Sequence, residues 1–548
     1  MATILTNNFK YKNTEEIRKL FHDVNERGKL KHHVYLFIAR SRAWPKVDNV
    51  EVTDVPSSLA SMQEELDVHN DIIVLKKINA EDISIVAPKY VWDDENTNVA
   101  FTTWEHDSST IFERDGTGSN AKPFYVAAQE SSTDWSIWKC LMNVGGVSTT
   151  TKPTISGMTS IHTKGDGSTD GYVWKYMYSV TNAQMTKFSS SVADSSGKLW
   201  MPIKTLFKAP TYADTIGTTS QWDVQRQAVR GGVHLIRPTS AIIAADSTKL
   251  IRLDGDGEGF EGTIQYNSTL SKYYVQVTAP GTGYTFVRRI MKQTAAGGGS
   301  SEFSDYGADS NLTAVLSPIG GHGWNAMKEL GGHRIMIYTT LEGNRSFGSG
   351  GVSYQHAYGG ADGNDYTDYR TVGLMVDPIQ SYAGSDDIRN GTQKGDIVTT
   401  GDRVNAADAT NLTRLQYATL SKDGSTIVND SDWREKEIMQ VDGTGTTDKF
   451  IATGRIVDIN TVSKYLYVIP YAGRSSTTYA SSKFEPDAGS YVFLNESGTL
   501  SSANYFTITE VKANDILPYS GDIIYLDNRA QIIRDVTRTE TIRIVIEF

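Results

Sequence analysis

Apolar and polar residues alternate along the last part of the chain. One face of this segment is apolar and carries Ile542, Ile544, Ile546 and Phe548. A period of two is typical of a half-buried β-strand. A second apolar run, 523–526, precedes it across the polar break 527–529, which predicts a turn. We therefore expect two terminal strands that pair with strands formed much earlier in the chain.

Apolar runs of strand length also recur through the rest of the chain. Those that predict core strands are 34–39, 84–92, 123–129, 135–143, 172–178, 199–206, 333–342 and 369–379. The glycine-rich segment 165–171 predicts a turn. Two further blocks, 238–328 and 386–500, contain short apolar runs between glycine-rich turns. This spacing predicts a small barrel or sandwich in each block.

Helical periodicity is confined to two short segments. In the first, Asn13 is the predicted cap, Glu16 completes a capping box and Gly28 ends the helix. Its apolar face comprises Ile17, Leu20, Phe21 and Val24. The second helix is predicted to begin at Pro56. Its apolar positions are Leu59, Met62 and Leu66, continuing into Ile72 and Ile73.

Composition supports a β-rich protein with several modules. The chain has 548 residues, including 48 Gly, and its 28 Tyr outnumber its 17 Phe. A single core stops growing at about 250–300 residues. We therefore predict a mainly β fold: a multi-layer β-sandwich core with a few short helices and two inserted small β modules.

Charge and hydropathy narrow the function classes. The net charge of −11 and the pI of about 5.5 argue against a nucleic-acid-binding surface. The N-terminal segment has no apolar core of signal-peptide length, and no run of about 18 apolar residues occurs. We expect a soluble protein that folds in a cytoplasm and contacts no membrane. The lone Cys140 excludes an internal disulfide and a cysteine-based zinc cluster.

Three patterns suggest metal binding, and each has a simpler explanation. The segment 254–259 resembles the start of a calcium loop, but Gln265 stands where the bidentate glutamate belongs, so an Asp-Gly β-turn is preferred. His322 and His333 lie in glycine-rich segments that favour tight turns. His32 and His33 are adjacent before a strand, so they point to opposite faces.

The sequence patterns for catalysis and for binding of other ligands are weaker than those for metal binding. No nucleophile elbow, zinc-protease motif or phosphate-binding loop occurs. Tyrosine and tryptophan clusters are more typical of a core or an interface than of a sugar platform. The basic pairs Arg288–Arg289 and Lys29 with Lys31 are interpreted as solvated. We predict no catalytic, cofactor-binding or metal residues, no cofactor and no enzymatic activity, while the partner-binding residues remain unknown.

Several segments together resemble one protein family. They are HVYLFIARSRAWP, VAPKYVW, IWKCL, DGYVWKYMYSV and SGDIIYLDNRAQIIRDVTRTETIRIVIEF. In this order they are similar to the baseplate wedge protein (gene product eight) of T-even-like contractile-tailed bacteriophages. The resemblance covers roughly residues 1–235, 330–380 and 505–548. Each segment is a packing motif, so only the ordered set is specific.

The resemblance implies a virion structural protein. It implies a homodimer that assembles with other baseplate wedge proteins in the host cytoplasm and holds the tail baseplate together through contraction. The chain is much longer than the family, which predicts two insertions. The predicted parts are a first core part (1–237), a Gly-rich module (238–328), core strands (329–385), a small barrel or sandwich (386–500) and closing strands (501–548). The insertions are expected to offer surfaces to tail-fibre or peripheral baseplate proteins.

A host-surface protein is the alternative. A tail spike that binds or depolymerises glycans would also be rich in Gly, Ser, Thr and Tyr. A β-helical spike should show a regular repeat, which is not evident here. A stable trimer in solution would favour the spike, and a dimer would favour the wedge protein.

Overall fold

The protein is described by a computed structural model. The described residues are 6–41, 44, 55, 61–92, 101–104, 123–144, 149, 151–159, 161–189, 199–204, 221–237, 242–295, 302–307, 312–342, 346–347, 352–353, 369–379, 408–417, 421–422, 425–426, 435–442, 449–460, 464–471, 484–486, 490–496, 499–512, 514–517, 519–529 and 539–548.

Strands dominate these residues, and the helices are few and short. The α-helices are α1 (Asn7–His22), α2 (Met62–Asp71), α3 (Asn182–Phe188), α4 (Gln221–Arg226) and α5 (Ala326–Glu329). The strands are β1 (Val34–Ala39), β2 (Ile72–Lys77), β3 (Ile83–Pro88), β4 (Tyr125–Gln129), β5 (Asp134–Asn143), β6 (Thr163–Lys164), β7 (Tyr172–Thr181), β8 (Trp200–Ile203), β9 (Val233–Arg237), β10 (Leu250–Gly255), β11 (Glu258–Asn267), β12 (Lys272–Thr282), β13 (Val287–Gln293), β14 (Phe303–Asp305), β15 (Thr313–Leu316), β16 (Arg334–Glu342), β17 (Ser346–Phe347), β18 (Val352–Ser353), β19 (Thr371–Val376), β20 (Asp408–Thr410), β21 (Thr413–Tyr417), β22 (Ser421–Lys422), β23 (Ser425–Thr426), β24 (Glu437–Asp442), β25 (Lys449–Asn460), β26 (Tyr465–Tyr471), β27 (Ser490–Glu496), β28 (Thr499–Phe506), β29 (Ile508–Lys512), β30 (Asp522–Asn528) and β31 (Thr539–Glu547). The prediction of a mainly β fold with a few short helices is confirmed, and the strands form several antiparallel sheets. None of the helices in the described part of the chain is long and apolar enough to cross a membrane.

The chain divides into two compact units. The first comprises 1–16, 84–337 and 544–548, and the second comprises 17–83 and 338–543. The division falls within α1, β3, β16 and β31. It also passes through the predicted core segment 1–237, after Ile83.

An aromatic sheet forms the centre of the first unit. Its strand order is β4-β5-β7-β6, all antiparallel. Aromatic residues suit a pleated surface that is covered on one or both faces. Buried rings shared between β5 and β7 are those of Trp138, Tyr172, Trp174 and Tyr176. The run 172–178, predicted to be a core strand, therefore lies in this core.

The glycine-rich block after β9 forms a five-stranded sheet in the same unit. Its order is β12-β11-β10-β13-β14, and a separate pair joins β15 to β9. Buried residues of the five-stranded sheet, such as Phe260 and Val275, form one cluster with Val233 and Ile236 of β9. Burial of shared apolar surface thus attaches this block to the first unit.

A five-stranded antiparallel sheet forms the centre of the second unit. Its order is β20-β2-β1-β19-β30. Strand β1 has the predicted bounds, and all six of its residues are buried. The apolar run 523–526 lies in β30, next to β19, but β30 continues through Asn528. The polar break therefore begins later than predicted, because backbone pairing with Thr371 and Val372 extends the strand.

The second unit also contains a seven-stranded sheet whose two edge strands are consecutive in the chain. Its order is β28-β27-β24-β25-β26-β21-β29. The two edge strands are separated by Thr507 alone, so one continuous segment supplies both edges. All seven strands contribute to one buried cluster, as expected for a small barrel. Residues 386–407 of the predicted module lie outside the described residues, and its strands extend past position 500 to Lys512.

The terminal strand β31 belongs to a sheet of order β31-β16-β3-β8. Ile542 and Ile544 of the predicted apolar face are each 2% exposed, whereas Ile546 and Phe548 are half-buried. Thr541 on the opposite face is exposed, as the alternating pattern predicts. Arg334 at the start of β16 pairs with Glu547 at the end of β31. The final segment is therefore held by burial and by an ion pair.

The first helix starts earlier than predicted. Asn13 lies inside α1, and the Thr6 side chain accepts a hydrogen bond from the Phe9 backbone N–H at 3.4 Å. The helix ends at His22 rather than at Gly28. Tyr11 explains the extension, because its ring is buried and its hydroxyl donates to the Lys328 carbonyl at 3.0 Å. Tertiary packing here outweighs the capping pattern.

The second helix also differs from its prediction. It begins at Met62 with Ser61 as the N-cap, whose hydroxyl accepts from the Glu64 N–H at 3.1 Å. The predicted start at Pro56 and the apolar Leu59 lie outside the described residues. The face predicted to be apolar is exposed, with Met62 80% and Leu66 41% exposed. Residues 72 and 73 belong to β2, where β-branched side chains are buried in the sheet.

Candidate functional site

Two buried lysines of the first unit form the basis of the candidate site. Lys139 of β5 and Lys175 of β7 are direct partners in the antiparallel register. They are 1% and 4% exposed. Opposed like charges destabilise a strand pair. Two lysines at this position therefore require compensation from other parts of the unit.

Glu329, the last residue of α5, supplies part of that compensation. The Lys139 ammonium donates to its carboxylate, and both side chains are buried. The same carboxylate accepts from the Gly323 backbone N–H at 3.0 Å and from that of Asn325 at 3.1 Å. Charge-assisted bonds of this kind are the strong ones in proteins. Glu329 is thus firmly held beside Lys139.

Lys175 has a weaker local partner. Its ammonium donates to the backbone carbonyl of Ile161 at 2.6 Å. Burial lowers the pKa of Lys175 to about 8; Glu329 opposes this shift and Lys139 adds to it. Burial also lowers the pKa of Lys139, against the effect of Glu329. The pair of lysines thus shares one carboxylate.

Two histidines complete the cluster. The rings of His234 in β9 and His322 lie 4.9 Å apart at an interplanar angle of 84°. Burial, followed by the two lysines, lowers the pKa of His234 to about 3. Burial and then Lys139 lower the pKa of His322 well below its usual value. Both imidazoles are therefore neutral at neutral pH.

The ring nitrogens of these histidines lack protein partners among the described residues. Both nitrogens of His322 and Nδ1 of His234 are buried without a hydrogen bond there. Glu329 Oε2 lies 4.0 Å from His322 Nδ1, beyond hydrogen-bond distance. The ring of Trp104 packs edge-on against His322 at 4.8 Å. A buried polar atom without a partner costs about 1–3 kcal/mol, so these atoms call for a further ligand.

A small cavity adjoins the cluster. Its volume is about 10 Å³, and it is lined by Ile161, Lys175, Gln227, Val229, His234, Pro280 and His322. About 10–15 Å³ on this measure holds one water molecule. The cavity therefore admits a water or a monatomic ion and excludes an organic substrate.

The structure does not bring the candidate histidines together in one site. His322 joins the buried cluster, in a turn where Gly320, Gly321 and Gly323 have positive φ. His333 lies elsewhere in the first unit, with its Nε2 3.4 Å from Glu547. In the second unit, Asp377 accepts from His32 Nδ1 at 2.7 Å and from the His33 backbone N–H at 2.8 Å. In the described part of the chain, no three His, Cys, Asp or Glu side chains could hold a metal ion.

The calcium-like segment is a hairpin connection between β10 and β11. Asp256 accepts from the backbone N–H groups of Thr285 at 2.9 Å and Phe286 at 3.1 Å. Asp254 Oδ2 accepts from Arg288 at 2.8 Å and Arg289 at 3.0 Å. Both carboxylates therefore bind groups of the protein itself, as expected for the predicted Asp-Gly turn. Arg288 and Arg289 are both exposed, as interpreted from the sequence, and in addition both pair with Asp254.

Lys139 and Lys175 were missed in the sequence. Each lies inside an aromatic and apolar run, WSIWKCLMN and YVWKYMY, that was interpreted only as a buried strand. A lysine in the middle of such a run indicates a buried charge with a specific partner, because lysine is rarely buried without one. The sequence contains that signal, but it does not reveal that the two lysines are register partners.

Comparison with known proteins identifies no family for the chain. No protein-family model matches it, and a search of curated proteins finds no match.

Proposed function

We propose that the protein is a structural component of the baseplate wedge of a contractile phage tail. In this role it forms a homodimer, assembles with other wedge proteins and holds the baseplate together through contraction. Its place is the virion tail baseplate, after assembly in the host cytoplasm. It acts through rigid β-sheet surfaces rather than through catalysis.

The ordered set of family-like segments carries the proposal. In the structure HVYLFIA contains β1, IWKCL lies in β5, YVWKYMYSV lies in β7, and the final segment contains β30 and β31. Strands β1 and β30 flank β19 in one sheet of the second unit. The resembling segments thus include core strands, which are the parts of a fold that constrain a sequence most. The mainly β architecture is compatible with such a scaffold.

Location in the particle is the direct test. Antibodies raised against the purified chain, applied to intact phage particles for electron microscopy, are expected to label the baseplate. Labelling confined to fibre or spike tips would contradict the wedge assignment and favour the glycan-binding alternative. Antibodies absorbed with the purified chain are the control for non-specific labelling.

The mass in solution gives a second test. Light scattering after size-exclusion chromatography is expected to give a dimer, twice the 60.3 kDa chain mass. A stable trimer would contradict the proposal, because it is the state expected of a tail spike.

A further inference from the structure

The buried cluster of the first unit carries an imbalance of charge. Two ammonium groups, those of Lys139 and Lys175, face one carboxylate, that of Glu329. Of the described acidic residues, none besides Glu329 acts on either lysine. Leaving a buried ion unpaired costs several kcal/mol. The second ammonium therefore needs an anion from outside the described protein groups.

Lys175, rather than Lys139, is the lysine that can bind it. Lys139 is directly bonded to Glu329, whereas Lys175 lines the cavity and donates one bond, to the Ile161 carbonyl. An ammonium has three N–H donors. Besides the N–H that donates to Ile161, Lys175 thus has two further N–H donors next to the cavity, which is large enough for one small ligand.

The histidines add neutral donors around the same space. A neutral imidazole carries one N–H, and both nitrogens of His322 and Nδ1 of His234 have no partner among the described residues. Both rings line the cavity together with Lys175. The Lys175 ammonium and two imidazoles, each with one N–H donor, therefore line the same space as Val229 and Pro280, and this lining suits an anion.

We infer that this cavity is a binding site for a monatomic anion, with chloride as the physiological ligand, held by Lys175, His322 and His234. Sulfate and phosphate are too large for a cavity of about 10 Å³. A metal cation is disfavoured because two lysines repel it. A water molecule satisfies the hydrogen bonds but leaves the charge of Lys175 unbalanced. The inference is independent of the proposed function.

Anion-dependent thermal unfolding tests the site in the full chain at pH 7. At constant ionic strength, replacing sodium gluconate by sodium chloride is expected to raise the Tm progressively, because a ligand that binds only the folded state stabilises it. Bromide should act similarly. Lys175→Met should abolish the difference between chloride and gluconate. Lys328→Met, at an exposed lysine of α5, is the matched control and should retain it.

An equal response of the unaltered protein to chloride and gluconate would overturn the inference. A chloride response that Lys175→Met retains would do so as well, since it would arise at another site.

Because Lys175→Met removes a buried group and can prevent folding, a second measurement uses the unaltered protein. Crystals soaked in sodium bromide are expected to show an anomalous peak within hydrogen-bond distance of Lys175 Nζ and a ring nitrogen of His322. If the cavity holds water and bromide is found only at exposed positions, the bromide is an adventitious ion only. That result would overturn the inference.

Discussion

Lys139 and Lys175 are register partners in adjacent antiparallel strands, so two buried ammonium groups face one another across β5 and β7. Their shared carboxylate is that of Glu329 in α5, which lies 190 residues after Lys139 in the chain. The charge balance inside the aromatic sheet of the first unit therefore depends on α5. This dependence allows a direct test.

Glu329→Gln is expected to destabilise the first unit by about 3–5 kcal/mol, because it leaves a buried lysine uncompensated. The double variant Lys139→Met/Glu329→Met removes both charges and should be less destabilised than Glu329→Gln. Glu258→Gln, at an exposed carboxyl of β11, is the control and should change the unfolding free energy by less than about 0.5 kcal/mol. Urea unfolding measures all three. An equal loss of unfolding free energy in Glu329→Gln and in the double variant would show that the effect comes from packing rather than from charge.

Arg455 of β25 provides a comparable test in the second unit. Its Nη2 lies 2.8 Å from Asp71 Oδ1, and its Nη1 donates to Ser41 Oγ at 3.1 Å. Both side chains of the ion pair are buried. Arg455→Met should cost about 3–5 kcal/mol, because Asp71 is left with reduced compensation. Arg529 is more exposed, so Arg529→Met should lower the unfolding free energy by less than about 1 kcal/mol in the same urea titration.

The terminal strand can be tested with one substitution on each face. Ile544→Asp places a carboxylate where the native side chain is 2% exposed and is expected to prevent folding of the first unit and assembly. Thr541→Asp, on the exposed face of the same strand, should be tolerated. Limited proteolysis with mass spectrometry would identify the unit that is lost. Selective loss of the segment 386–500 would contradict the closing role of the strand.

Gly373 of β19 has no space for a side chain. A Cβ there would overlap the ring of Phe37 and lie 2.6 Å from the carbonyl oxygen of Tyr525. Gly373→Ala should therefore lower the unfolding free energy of the second unit by at least about 1–3 kcal/mol. Gly232→Ala, where the added atom would meet its neighbours at 3.4 Å, is the control for an ordinary contact. Similar Tm values for the two variants would mean that β19 can move away from β1.

Acid should destabilise the first unit through His234. Its folded-state pKa of about 3 is below the value of about 6.5 in unfolded chains. Between these values the unfolded state binds more protons, so the unfolding free energy falls as pH decreases from about 6.5. Proton uptake on unfolding at pH 5 and constant chloride should be smaller in His234→Phe by up to one proton. Unchanged uptake would contradict the pKa shift.

Several strands could be predicted from the sequence because their patterns are local. The buried run 34–39 has the bounds of β1, and the alternation at 539–547 separates buried Ile542 and Ile544 from exposed Thr541. The glycines of the turn 165–171 also have positive φ, as expected for positions where a Cβ is costly. These features depend on neighbouring residues along the chain.

The sequence alone therefore determined the mainly β character, most core strands and the buried face of the last strand. The tertiary structure decided where α1 begins, how a single segment around Thr507 supplies both edges of the seven-stranded sheet, and which charges meet. Lys139, Lys175, His234 and Glu329 come from four separate elements, so no local pattern unites them. Their pairing follows from strand register and long-range packing, because a buried charge must find its partner wherever the fold places one.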